Sequence, residues 1–314
     1  MYSKKDLEKI ASETGFIRDN LEKIIRLCDI LKFLNENPLF SENLALKGGT
    51  AINLLVFDLP RLSVDIDLDF TKTCTKEEML QARDQMNKEL VNFLFAQSYT
   101  LSPNSRNPHS LDSWVFYYQN AAGNKDNFKI EINYSMRNHI LPLIYKKIEI
   151  DFLPHYQIRV LSPLELFGSK IKALLERTAA RDLYDIFNML NANLFNKEEL
   201  PTLRKIILFY CAVGGNKPPS IEFKFDAIDN LTFSQIRSSL LPVLRKRERF
   251  DLEKAKIEVK EFLSGLLVFT ADEKLFIEKF NLKEYRPELL FDDTKILERI
   301  REHPMAIWKT RKKQ

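Results

Sequence analysis

Apolar positions recur along the chain with two different periods. Between Asp19 and Asn37, Leu21, Ile24, Ile25, Cys28, Leu31 and Leu34 fall three and four apart, which predicts a helix with one buried face that Pro38 ends. A short helix is expected before it, from the Ser3 cap to Gly15. Leu44–Lys47 reads as a short strand, Gly48-Gly49-Thr50 as a turn, and Ala51–Leu55 as a helix start. The period then drops to two: Val64, Ile66, Leu68 and Phe70 alternate with Asp65, Asp67 and Asp69, the pattern of a strand with one apolar and one acidic face. Thr75 with Glu78 forms a capping box for a helix reaching about Gln97, its stripe being Met79, Met86, Leu90, Phe93 and Leu94. Strands are expected over 114–119 and 128–134, joined by the turn-like 122–127, and over 156–161.

From Ser162 the pattern is helical almost throughout. Ser162, Pro163 and Glu165 supply an N-cap, a first-turn proline and an acid at the third position. Thr270 and Glu273 open another helix, and residues 214–219 form a loop. The expected organisation is α+β: a mixed sheet with flanking helices over 1–160, then a mainly helical lobe over 161–314.

Composition narrows the function classes. The 314 residues are 45% hydrophobic and 29% charged, enough to bury a core. The net charge of +4 is too small for a strongly basic nucleic-acid binder, but it is uneven. Residues 1–160 carry a net −1 and residues 161–314 a net +5, so the second half is the better candidate to touch a polyanion. Cys28, Cys74 and Cys211 are odd in number and far apart, which excludes a disulfide framework and a CxxC site. No run of 18 apolar residues spans a membrane, and the N-terminus lacks the apolar core of a signal peptide; a cytoplasmic location is expected. P-loop, Rossmann, zinc-protease and nucleophile-elbow motifs are missing. With only eight glycines in the chain, the Gly48-Gly49 pair carries more information than usual.

Three pieces carry candidate chemistry. Asp65, Asp67 and Asp69 share a strand face at about 6.5–7 Å spacing, close enough to repel, and carboxylate oxygens are natural ligands for Mg²⁺. A solvated acidic edge strand has the same pattern. Lys47-Gly48-Gly49-Thr50 precedes it at a strand-to-helix turn, where backbone N–H groups and the Thr50 hydroxyl suit a phosphate, or where two glycines merely make a tight bend. On a later strand Glu131 shares a face with Lys129 and Asn133, where it completes a carboxylate triad or is an ordinary exposed glutamate.

In this order the pieces resemble the nucleotidyltransferase superfamily of DNA polymerase β type. Leu46-Lys47-Gly48-Gly49-Thr50-Ala51 and Arg61-Leu62-Ser63-Val64-Asp65-Ile66-Asp67-Leu68 look like the first motif of the AbiEii/AbiGii-type toxin family. The block from Ser162 to Arg177 and the following Ala180-Arg181-Asp182-Leu183-Tyr184-Asp185 resemble that family's later motifs. The matches extend over roughly residues 40–190.

The resemblance implies a nucleotidyltransferase-like fold and a Mg²⁺-dependent toxin that moves nucleotides from an NTP to an RNA acceptor, tRNA 3′ ends being an acceptor class in the family. Two Mg²⁺ ions are implied on Asp65 and Asp67, with Glu131 as third ligand or base. Lys47, Gly48, Gly49 and Thr50 would hold the nucleotide, with Ser63 close to the metals. Lys170, whose stem can lie along an apolar helix face, would neutralise the triphosphate. Asp182 would position or activate the acceptor hydroxyl, with Arg181 and Asp185 as secondary candidates; these last three also read as a surface ion-pair cluster. The helical lobe is expected to complete the active-site cleft. A separately encoded antitoxin with a repressor role is the implied protein partner. Two other functions fit the residues: transfer to a protein or small molecule, and a non-catalytic NTP- or RNA-binding module.

Overall fold

A computed structural model describes residues 2–215 and 217–311. Asn216, in the expected loop, and Lys312 and Lys313, in the basic run Lys309–Lys313 of the sequence, lie outside the described residues. The chain divides into two compact units. The first holds Met1–Arg137, Leu143–Leu161 and Pro242–Glu248; the second holds Asn138–Pro142, Ser162–Leu241 and Arg249–Gln314.

The first unit is built on one mixed sheet of seven strands, β1 (Leu44–Lys47), β2 (Asp65–Phe70), β3 (Thr100–Leu101), β4 (Leu111–Gln119), β5 (Lys125–Asn133), β6 (Ile144–Lys147) and β7 (Gln157–Val160). Their spatial order is β3-β4-β5-β2-β1-β7-β6. β2 runs parallel to β5 and β1 parallel to β7, while the other pairs are antiparallel. The period-two pattern decides which face is buried. Leu46, Ile66, Leu68, Ile130, Ile132, Ile158 and Val160 are all 5% exposed or less. Helix Arg18–Glu36 packs over this face, bringing Leu31 and Leu34 to Leu44, Leu46, Leu68 and Ile158. Helix Lys76–Ala96 keeps its expected capping box and buries Met79, Met86, Leu90 and Leu94, while Phe93 stacks on Phe33 with centroids 3.6 Å apart.

The expected α+β class with a mixed sheet holds, with differences of detail. Pro38 ends the preceding helix but also opens a new turn of helix, Pro38–Ser41. β3 and β6 are too short and too polar for a periodicity reading to detect.

Among its described residues the second unit is helical. Helix Pro163–Arg177 crosses helix Leu200–Gly214 at Gly168, where an added Cβ would drive into the Ile206 side chain. Glu165 is fully buried and ties this unit together. It accepts from the amides of Ile140 and Leu141 at 2.8 and 3.1 Å and from the Tyr210 hydroxyl at 2.5 Å, with His139 Nδ1 3.4 Å away. Burial favours its neutral form, but the His139, Tyr210 and Ile140 hydrogen bonds outweigh that and hold its pKa below the usual glutamate value. Two lysines satisfy the carbonyls at the end of helix Leu200–Gly214: Lys172 donates to Gly214 and Lys309 to Ala212 and Gly215.

Candidate active site

β1 ends at Lys47, and the chain turns at once into helix Gly48–Ala51, which continues as a π-turn over Ile52–Val56. Gly48 has φ +70°, the left-handed region, and a Cβ there would collide with the Asp67 carboxylate. Both facts require glycine. The Thr50 hydroxyl donates to the Asp65 carbonyl oxygen, and Thr50 has no exposure. Its oxygen therefore fastens the turn to β2. Asn53 Nδ2 reinforces the turn by donating to Gly49 O at 2.8 Å. Ser63 is 8% exposed beside Gly49.

Strand register brings the acids together. Asp67 lies directly opposite Lys47 on β1 and Glu131 on β5, and Asp65 lies opposite Lys129. Neighbouring strands are about 4.8 Å apart, so Asp65, Asp67 and Glu131 stand on one sheet face next to the glycine turn. All three are partly exposed. Lys47 Nζ reaches Asp69 at 2.5 Å, and Lys129 Nζ reaches Glu131 at 2.7 Å. Asp69 is only 3% exposed, so the third aspartate of the run is a buried ion-pair partner.

Among the described residues no group of three or more His, Cys, Asp and Glu is gathered closely enough to hold a metal ion. The donor chemistry nevertheless suits Mg²⁺, which keeps several waters and takes one or two carboxylates together with substrate phosphates rather than an all-protein cage. Asp65 and Asp67, two residues apart on one face, supply that kind of donor set.

The second unit gathers the later candidates. Lys170, 7% exposed, places Nζ 2.9 Å from Asp182 and 3.1 Å from Asp185, each of which is 1% exposed. Arg177 adds a two-pronged contact to Asp182, 2.7 and 3.0 Å long. Arg181 donates to Ser239 O at 2.6 Å. Burial alone would raise the Asp182 carboxyl; the Lys170 charge and the Arg177 contact outweigh it and leave the pKa below the ordinary aspartate value.

A pH dependence follows. Asp182 and Glu165 are both depressed in the folded state, so their stabilisation is complete above their unfolded values of about 3.9 and 4.3 and is lost as pH falls through the folded values. The melting temperature should be insensitive to these groups between about pH 5.5 and 7 and fall steeply below about pH 4. Asp182→Asn should make that acid limb shallower, which differential scanning calorimetry across pH 3–6 would measure.

Sequence reasoning missed two residues. Arg61 is 2% exposed and lies against Gly49. A single arginine after a proline gives no sign that it is buried. Glu165 looks from its position like a helix-start residue, and only the tertiary fold turns it inward.

The basic run Arg245-Lys246-Arg247-Glu248-Arg249, a candidate for RNA backbone, is partly engaged elsewhere. Arg245 donates to Leu59 O at 3.3 Å and lies over the Phe16 ring, while Arg247 and Arg249 are exposed.

Residues 32–281 match the family model described as nucleotidyl transferase AbiEii toxin, type IV toxin–antitoxin system. The chain belongs to the AbiEii toxin family. It is accordingly a nucleotidyltransferase toxin of a type IV toxin–antitoxin system, a class with an antitoxin partner. A solved structure, the nucleotidyltransferase toxin MenT4 from Mycobacterium tuberculosis H37Rv, is similar with a TM-score of 0.67 and 14% identity, covering 99% of this chain and 100% of that one. At that identity the likeness establishes a shared fold. Among curated proteins, none matches the sequence. Among the described residues, no helix of this AbiEii-family chain is long and apolar enough to cross a membrane.

Proposed function

We propose that this AbiEii toxin transfers a nucleotidyl group from an NTP to a hydroxyl of an RNA acceptor, tRNA 3′ ends foremost, in the cytoplasm. The observation that carries the reading is the shared sheet face of Asp65, Asp67 and Glu131 beside the Gly48-Gly49 turn. Phosphoryl-type transfer asks a protein mainly for positioning and charge neutralisation, which such a face is suited to supply.

Mg²⁺, held by Asp65 and Asp67 with Glu131 as third ligand or base, would offset phosphate charge and polarise the reacting oxygens. Gly48 and Gly49 offer backbone N–H groups to the triphosphate, with Lys47 and Ser63 flanking them. Thr50 keeps that turn in register with β2. The acceptor hydroxyl oxygen forms the new bond to the α-phosphorus, the bond to the β-phosphate bridging oxygen breaks, and pyrophosphate leaves. Lys170 is assigned to charge on the triphosphate and Asp182 to positioning or deprotonating the acceptor hydroxyl, with Asp185 and Arg181 secondary; these roles come from the family motif. RNA is favoured as acceptor by the net +5 of the second half of the chain. A separately encoded, DNA-binding repressor is proposed as the antitoxin.

The test is incubation of the purified toxin with each α-labelled NTP, Mg²⁺ and total RNA. Label in an RNA band, lost with EDTA, is expected. Label confined to protein or small-molecule fractions would move the acceptor to those classes. Mg²⁺-dependent NTP binding without turnover would reduce the chain to a binding module. Failure to incorporate any of the four nucleotides would count against the transfer itself.

A further inference from the structure

Arg61 carries one of the largest fully buried side chains in the protein. The loop that bears it is fastened on one side by the returning segment Pro242–Glu248. Arg61 forms a backbone bridge with Leu244, the Leu62 amide donates to Val243 O at 2.8 Å, and the Arg245 guanidinium donates to Leu59 O. Arg61 Nη1 donates to Leu62 O at 3.0 Å. Its other end lies against the glycine turn. A Cβ on Gly49 would stand 2.9 Å from Arg61 Nη2 and 3.0 Å from Ser63 Oγ. Gly49, unlike Gly48, is not left-handed. Its missing side chain makes room for a guanidinium and a hydroxyl rather than permitting a turn.

Taking a guanidinium out of water is costly, and an apolar side chain of similar volume often serves stability as well. A buried cation placed directly behind the turn that would meet a triphosphate therefore suggests a role beyond packing. We propose that Arg61 is a positioning residue for the nucleotide: it fills the space that Gly49 leaves open and holds the Gly49 backbone in place. This deepens the transferase reading above and rests on it. The structure places Arg61 behind the turn, so its effect falls on nucleotide binding and not on the transfer step.

Arg61→Lys keeps the charge but loses the planar fork, and Arg61→Met loses the charge. In the full-length chain, at a temperature well below each variant's melting point, both binding of labelled NTP and its KM in RNA labelling are measured. Arg61→Lys should weaken both by about tenfold and Arg61→Met by more, with kcat at saturating NTP within about twofold of wild type. A role confined to stability would lower the melting temperature and leave KM unchanged. Gly49→Ala pushes on the same guanidinium in a chain that keeps Arg61, and so carries the test if an Arg61 variant does not fold. Its cost should be smaller in an Arg61→Lys background, because both changes strike one contact. Unchanged nucleotide binding in folded Arg61→Lys, or strict additivity with Gly49→Ala, overturns the assignment while the transferase reading stands. Wild-type protein that binds no NTP removes the transferase reading, and the role of Arg61 with it.

Discussion

Asp67→Asn should abolish growth inhibition in cells expressing the toxin and lower NTP incorporation into RNA by at least about 10³-fold, equivalent to about 4 kcal/mol of transition-state stabilisation. Asparagine keeps the volume and one oxygen but loses the charge. Asp67 sits at the crossing of the site: opposite Lys47, opposite Glu131, and against Gly48 so closely that no Cβ fits between them. It is partly exposed, so removing its charge should change the melting temperature by only a few degrees. The pairing of intact thermal unfolding with lost incorporation separates a chemical role from a structural one. Asp65→Asn should behave alike. An Asp67→Asn toxin that still inhibits growth and still labels RNA would remove the carboxylates from the reaction.

The same residues show why this part of the molecule was readable in the sequence. A strand alternates by geometric necessity, so Asp65 and Asp67 had to share a face once Ile66 and Leu68 were buried. Two adjacent glycines in a glycine-poor chain mark a place where backbone, not side chain, is wanted. Register was less accessible. Nothing local says that Glu131 lies opposite Asp67 and not two positions away, since that depends on the parallel pairing of β2 with β5 across more than fifty intervening residues. Nor does alternation reveal that Asp69, on the same face by pattern, is buried against Lys47. The same limit explains Thr50. A hydroxyl after Gly-Gly reads as a phosphate donor, but the strand brings the Asp65 carbonyl to it and takes the proton. Local pattern fixes which residues share a face, whereas non-local packing decides which of them stay open to solvent.

In the second unit this distinction becomes a measurable separation of two roles for Lys170. Its ammonium lies between two carboxylates that are almost wholly buried, and Arg177, whose side chain is 64% exposed, also bonds Asp182. Lys170→Ala would leave Asp182 and Asp185 with too little compensating charge, and breaking a buried pair from one side costs about 3–5 kcal/mol. In a protein of this size that is a fall on the order of 10 °C in melting temperature. Lost toxicity in that variant would therefore be ambiguous. Lys170→Ala combined with Asp185→Asn removes one charge of each sign, leaves Arg177 to answer Asp182, and should recover a large part of the lost stability. If Lys170 also acts on the triphosphate, the double variant will melt near wild type yet fail to incorporate NTP and fail to inhibit growth, while Asp185→Asn alone stays active. If Lys170 only balances buried charge, stability and toxicity will return together. Calorimetry and the RNA-labelling assay on the single and double variants distinguish these outcomes, because the loss of a purely structural lysine is silent once the fold is restored, whereas a reacting lysine cannot be replaced by charge balance.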